Sequence, residues 1–331
     1  WMDANVEGFC GPLSVEQFSG GQSNPTYLLR TDGAKYVLRR KPPGNLLPSA
    51  HAVDREFRVI SALANTNVPV ARAYALCEDD SVIGTMFYVM DCIDGRILWD
   101  PSLPGYEPAE RSAIFDEMNR VIAALHCVDY QGIGLGDYGR TNQYLERQIA
   151  RWSKQYRAAE TEKIDAFEHL IEWLPKNIPA GDETSIVHGD YRLDNMVFHP
   201  TEPRVLAVLD WELSTLGHPL VDFSYHCMTW HLSPGQFRGL DGHDLAALGI
   251  PSEVEYGATY CRRTGRAPIP TAEWNYYMAF NMFRLASIMQ GIMARALQGN
   301  ASSADALAAG QKAKPLAEYA WQEVEKIIRS T

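Results

Sequence analysis

Up to residue 92 the chain is written in short β-rich runs, and beyond Asp94-Gly95 in long helical patterns. That single change of texture restricts the fold to two unequal units in series. Residues 15–18, 26–30 and 36–39 are runs of β-formers separated by Gly20-Gly21 and Asp32-Gly33, which are hairpin signals. Over 50–64 the apolar set Val53, Phe57, Ile60, Leu63 and Ala64 recurs at helical steps, and it ends before Pro69. Two more strands are predicted at 72–77 and 86–92, giving a β-β-β-α-β-β unit. The remainder predicts helices over 108–129, 143–177, 252–265, 273–298 and 304–329. The exception is 186–213, where short strands and polar loops interrupt the helices, as they do where chemistry sits.

The 331 residues are enough for about two core-forming units without disulfide or metal staples. Lys plus Arg fall short of Asp plus Glu and leave a net charge of −11, which excludes a phosphate-neutralising nucleic-acid binder. The most apolar stretch, 278–297, carries Asn281, Arg284, Gln290 and Arg295, so no membrane association is expected. No charged-then-apolar leader opens the chain. Six scattered cysteines without a C-x-x-C pair read as reduced thiols, so the expected location is cytoplasmic.

The strongest local signal is His188-Gly189-Asp190-Tyr191-Arg192-Leu193-Asp194-Asn195, followed fifteen residues later by Asp210 at the end of an apolar strand. At roughly 5% usage per residue type, H-G-D-x4-N arises by chance in about 0.2% of chains this long. Its chemistry is that of phosphoryl transfer. Asp190 can orient and accept the proton of an attacking hydroxyl, while Asn195 and Asp210 offer oxygen ligands suited to Mg2+ bridging nucleotide phosphates. His188 is read as a structural hydrogen-bonding residue, and Asp194 as either a second carboxylate near the metal or a loop brace.

Through V-H-G-D-Y-R-L-D-N at 187–195 and V-L-D-W-E at 208–212 the chain resembles the aminoglycoside phosphotransferase and choline kinase-like family, whose fold is that of the protein kinases. A closer likeness, carried by Gly21-Gln-Ser-Asn-Pro-Thr26, Val37-Leu-Arg-Arg-Lys-Pro-Pro-Gly44 and Asp54-Arg-Glu-Phe57, is to the kinase-like domains fused to acyl-CoA dehydrogenases. The resemblance implies an α+β, two-lobed, protein-kinase-like fold. Residues 1–92 would form the nucleotide-binding lobe, an antiparallel sheet with one helix, and 93–331 the larger, mainly helical catalytic and acceptor-binding lobe.

It also implies site roles. Gly20, Gly21 and Ser23, between the first two strands, would bring backbone amides to phosphate oxygens. Arg39 on the third strand would clamp the ATP phosphates, and Glu56 on the inserted helix would hold Arg39 in place. Strand alternation puts Lys41 on the same face, so it stays an alternative clamp. Backbone groups near Asp91 and Ile93 would meet adenine, with Met90 on the cleft wall. Arg192, where protein kinases carry a Lys, would contact the transferred phosphate.

In the second lobe Asp222 matches a position that braces the catalytic loop. His226 and His231 are either acceptor-lining or packing residues. Arg284, in the apolar stripe of Tyr276, Tyr277, Phe280 and Phe283, is either an anion-binding group or half of a buried salt bridge. No concentrated acidic patch suits a polycationic aminoglycoside. The expected function is therefore an ATP- and Mg2+-dependent phosphotransferase acting on a hydroxyl of a small metabolite, a hydroxyacyl or hydroxyacyl-CoA compound by resemblance, with a homodimer left open. Two other readings compete with it: a nucleotide-binding pseudokinase, favoured by Arg in place of Lys at position 39, and a metallohydrolase built on His188, Asp190, Asp210 and His218.

Overall fold

The computed structural model describes residues 1–18, 24–42, 52–300 and 305–330. Five strands, β1 (Ser14–Gln17), β2 (Thr26–Arg30), β3 (Lys35–Arg40), β4 (Ala73–Cys77) and β5 (Phe87–Asp91), pair antiparallel in the order β1-β2-β3-β5-β4. One face of this sheet packs against helix Val53–Leu63, whose Val53, Val59, Ile60 and Leu63 are buried with Tyr88. On the other face Leu29, Tyr36, Phe87 and Val89 form a second, smaller core. Trp1, Met2, Val6 and Phe9 of the first segment cover it, Trp1 meeting Phe87 edge-on at 4.8 Å. The short helix Met2–Asn5 in that segment has no counterpart in the sequence reading.

The second lobe is a helical assembly with two small antiparallel strand pairs inserted. These pair β6 (Ser185–Val187) with β9 (Thr215–Gly217), and β7 (Met196–Phe198) with β8 (Val205–Val208). Helix Pro108–His126 starts where proline suits the first turn, and Glu107 and Glu110 close a reciprocal capping box there. The expected single helix over 143–177 is instead two, Tyr144–Ala158 and Asp165–Trp173, followed by a 3-10 turn. Buried Gln290 donates to the carbonyl of Ala159 and to Thr161, taking the helix-end carbonyl that a continuing turn would use. Tyr156 then stacks on Phe167 at 3.8 Å, which packs the two halves together. The final expected helix likewise divides, into Ala306–Gly310 and Ala313–Ser330.

The long helix Thr271–Leu297 runs through this lobe with Tyr276, Tyr277, Phe280 and Phe283 buried. Among the described residues no helix is long and apolar enough to cross a membrane. The lobes meet along helix Val53–Leu63. Arg55 donates to the carbonyl of Tyr138 and lies 4.2 Å over its ring, and the N–H of Val208 donates to Pro69.

Candidate functional site

Strand β6 delivers the chain into the loop 188–195. At Gly189 φ is +82°, and a Cβ there would stand 2.9 Å from the carbonyl oxygen of Leu213, so only glycine fits where protein kinases have arginine. Asp222, on helix Pro219–Cys227, accepts the N–H groups of His188 and Gly189 at 2.8 Å each, and His126 Nε2 donates to it at 3.2 Å. Burial opposes the charge of Asp222, but His126 and His188 hold its carboxyl below the usual carboxylate range. The ring of His188 is itself fully engaged: Nε2 donates to the carbonyl of Leu209 and Nδ1 accepts the N–H of Asp190.

This frame presents Asp190. Its Oδ1 accepts the Tyr225 hydroxyl at 2.6 Å and lies 3.1 Å from Arg192 Nε. Its Oδ2 accepts the Asn195 amide at 3.1 Å, and the same amide donates to the Asp190 carbonyl at 2.8 Å. Asn195 Nδ2 therefore faces Asp190, and its Oδ1 points elsewhere. The carbonyl of Asn195 accepts the N–H of Leu209, which sets the two strands of the motif side by side and places Asp210 next to the loop. Arg192 also reaches Asp194, 3.3 Å away, and Arg238 reaches the same carboxylate at 3.6 Å while lying over the exposed ring of Trp99.

The first lobe adds a charge cluster from across the cleft. The register pairs Arg39 with Thr26 on one side and Tyr88 on the other, which turns it to the face covered by helix Val53–Leu63. Its Nε lies 2.8 Å from Glu56 Oε2, and its Nη2 donates to Asp210 at 2.7 Å, with Glu212 at 3.7 Å. The Nε contact is one of charge rather than a well-directed hydrogen bond. Lys41 instead faces Asp54 at 3.8 Å on the surface, so Arg39 and not Lys41 meets Glu56. Glu56 is 1% exposed and also accepts from Asn24 at 2.8 Å and Tyr88 at 3.1 Å.

Burial pushes the Glu56 carboxyl from its ordinary 4.5 up to about 7, against the pull of Arg39. Between those values the folded protein holds a proton that the unfolded chain has lost, so stability falls as pH rises through this window. Glu56→Gln removes that dependence. Its melting temperature relative to wild type should rise by roughly 2–4 °C between about pH 5 and pH 8. Thermal melts across that range check this, and a constant difference would show that Glu56 is ionised throughout.

Between the lobes Asp91 donates its N–H to the Arg72 carbonyl and accepts the Tyr74 hydroxyl at 2.5 Å. Ile93 makes no backbone hydrogen bond through its N–H among the described residues, so of these two expected positions only Ile93 keeps a free donor. Two residues on, a Cβ at Gly95 would stand 2.3 Å from the carbonyl oxygen of Phe198, and the N–H of Arg96 donates to that same oxygen, fixing the crossing to β7. Gly20, Gly21 and Ser23 lie outside the described residues.

Compared with known proteins, residues 14–255 match the phosphotransferase enzyme family. The chain belongs to that family. It is a phosphotransferase acting on hydroxyl groups, built on the kinase-like fold. It is 51% identical over 319 residues to mouse acyl-CoA dehydrogenase family member 10, a match covering 96% of this chain but only 30% of that protein. It thus spans about a third of the length of that curated relative. An aminoglycoside phosphotransferase-like crystal structure from Ralstonia eutropha is 62% identical, covers 98% of this chain and 96% of its own, and superposes with a TM-score of 0.92. Choline kinase from Cryptosporidium parvum shares only 11% identity but covers 99% and 95%, with a TM-score of 0.68, and so shares the fold.

Several residues in this phosphotransferase's cleft carried no site assignment from sequence. Asn24, Tyr88 and Glu212 surround the Arg39 pair, and Tyr225 contacts Asp190. The segments containing Asn24 and Glu212 did carry the family resemblance, which was the available signal for those two. Other expectations resolve into packing. His226 is buried against Tyr256, and His231 bridges Tyr319 and Glu253. Arg284 has no salt bridge among the described residues. It donates to the Gly189 carbonyl at 2.8 Å and lies over the rings of Trp152 and Tyr225. The metallohydrolase reading fails on geometry, because the described residues contain no His, Cys, Asp or Glu group able to hold a metal by itself.

Proposed function

We propose that the protein transfers the γ-phosphoryl group of ATP to the hydroxyl of a small anionic metabolite of the hydroxyacyl class, free or as its CoA thioester. The observation that carries this is the convergence of the Arg39–Glu56–Asp210 cluster with the Asp190–Asn195 loop across one cleft. Residues 1–92 supply the nucleotide side and 93–331 the acceptor side.

Arg39, steadied by Glu56, clamps the phosphates, the amides of Gly20, Gly21 and Ser23 are assigned as further phosphate donors, and the backbone at Asp91 and Ile93 meets adenine. Asn195 and Asp210 fit Mg2+, since one amide oxygen and one carboxylate are the sparse oxygen set that this ion completes with phosphate and water. When bound, the ion supplies charge neutralisation at the phosphates. Asp190 orients the acceptor hydroxyl and takes its proton, and Arg192 faces the transferred group.

Two observations support an anionic acceptor in a chain of charge −11. Arg192 and Arg238 gather around Asp194 beside the exposed Trp99, and Arg284 sits behind Gly189 with no carboxylate partner among the described residues. The acyl class follows the kinship with acyl-CoA dehydrogenase family member 10.

The test is to incubate the protein with ATP, Mg2+ and a pool of hydroxy acids, hydroxyacyl-CoAs, choline and an aminoglycoside, then read mass gain of one phosphoryl group. The expected product lies among the hydroxyacyl compounds and disappears with EDTA. Phosphorylation of choline or the aminoglycoside alone would overturn the acceptor class. Mg2+-dependent ATP binding with no phosphorylated product would favour a nucleotide-binding module.

A further inference from the structure

The two oxygens of Asp190 are not equivalent. An ionised carboxylate offers about four acceptor positions. Oδ1 accepts the Tyr225 hydroxyl at 2.6 Å and also carries the ion pair with Arg192, whose Nε lies 3.1 Å away without a directed hydrogen bond. Among the described residues Oδ2 accepts one hydrogen bond, from the Asn195 amide at 3.1 Å. Tyr225 is itself fixed: it projects from helix Pro219–Cys227, and the guanidinium of Arg284 lies 5.0 Å over its ring while donating to Gly189. Burial and the neighbouring Asp190 charge raise the Tyr225 pKa, so the phenol remains a donor.

We infer that Tyr225 is a positioning residue, holding Asp190 so that Oδ2 alone receives the acceptor proton. The inference rests on the reading of Asp190 as the base. In the step, the acceptor oxygen forms a bond to the γ-phosphorus and its proton passes to Asp190 Oδ2. The bond from that phosphorus to the β–γ bridging oxygen breaks, and its electron pair leaves on ADP.

The test compares wild type, Tyr225→Phe, Asp190→Asn and the double variant. ADP formation from Mg·ATP is measured with water as acceptor and then with the acceptor returned by the mass screen. Loss of a hydrogen bond to a charged group predicts a fall in kcat of about 10- to 100-fold for Tyr225→Phe. KM for ATP and acceptor should stay within about twofold, the melting temperature should be unchanged, and the double variant should be no slower than Asp190→Asn. Wild-type kcat in Tyr225→Phe, or a raised acceptor KM at unchanged kcat, overturns the inference while leaving Asp190 as base. Wild-type turnover in Asp190→Asn, or none in the wild type itself, overturns both.

Discussion

Asp190→Asn is expected to lower kcat by at least about 100-fold while Mg·ATP affinity stays within about threefold, the signature of losing a positioned base and little else. The substitution is nearly isosteric. Its amide oxygen can still accept from Tyr225; the new NH2 loses the Asn195 contact, but that amide keeps its bond to the residue 190 carbonyl, and the frame that holds the loop, Asp222 with the N–H groups of His188 and Gly189, does not involve the Asp190 side chain. The loop should therefore keep its shape, and the loss should appear in turnover rather than in melting temperature. A coupled ADP assay on the acceptor found by mass gain checks this. Turnover within tenfold of wild type would remove Asp190 from the mechanism.

Arg39→Met should damage both stability and nucleotide binding. Among the described residues the guanidinium is the one cation in contact with Glu56 and Asp210, it also lies 3.7 Å from Glu212, and Glu56 is almost wholly buried. Removing one side of a buried pair costs about 3–5 kcal/mol, a drop of roughly 5–10 °C in melting temperature for a chain of this size. Mg·ATP affinity should fall at least about tenfold, because the charge-assisted contacts to phosphate are lost. Lys41→Met is the contrast. Its 3.8 Å contact with Asp54 is at the surface and should be worth less than about 1 kcal/mol. Thermal melts with and without Mg·ATP read both effects, and equal effects from the two substitutions would return Lys41 to candidacy as the clamp.

Most of this site was legible in sequence because its key spacings are local. Asp190 and Asn195 share one loop, and Asp210 follows after a single short hairpin, so their proximity depends on little beyond that hairpin closing. Glu56 was legible through the resemblance, and its place three residues after Val53 and four before Ile60 puts it on the buried face of the helix, where a carboxylate needs a partner. Arg39 and Lys41 could not be separated by alternation. What separates them is where each side chain ends: Arg39 reaches Glu56 and Asp210, whereas Lys41, whose N–H still bonds to the Met86 carbonyl, turns its ammonium to Asp54. Tyr225 and Asn24 reach the cleft from 35 residues beyond Asp190 and 32 before Glu56, distances over which no periodic pattern reports. The break after Ala158 was hidden similarly. Its neighbours are good helix formers, and the side chain that takes the terminal carbonyl, Gln290, comes from 131 residues away.

The long helix Thr271–Leu297 gives these distant contacts a common origin. Tyr276 donates to the Leu174 carbonyl, Asn281 to the Val221 carbonyl and Ser224, Arg284 to Gly189, and Gln290 to Ala159 and Thr161. One rigid rod thereby gauges four separate pieces of chain, the catalytic loop among them, from a single register. None of these ties reaches the segment 231–250, which carries Arg238 at the mouth of the cleft. Under the proposed function, changes there would retune which acceptor is admitted while the distances that govern phosphoryl transfer stay set by the helix, so selectivity and chemistry would be alterable independently.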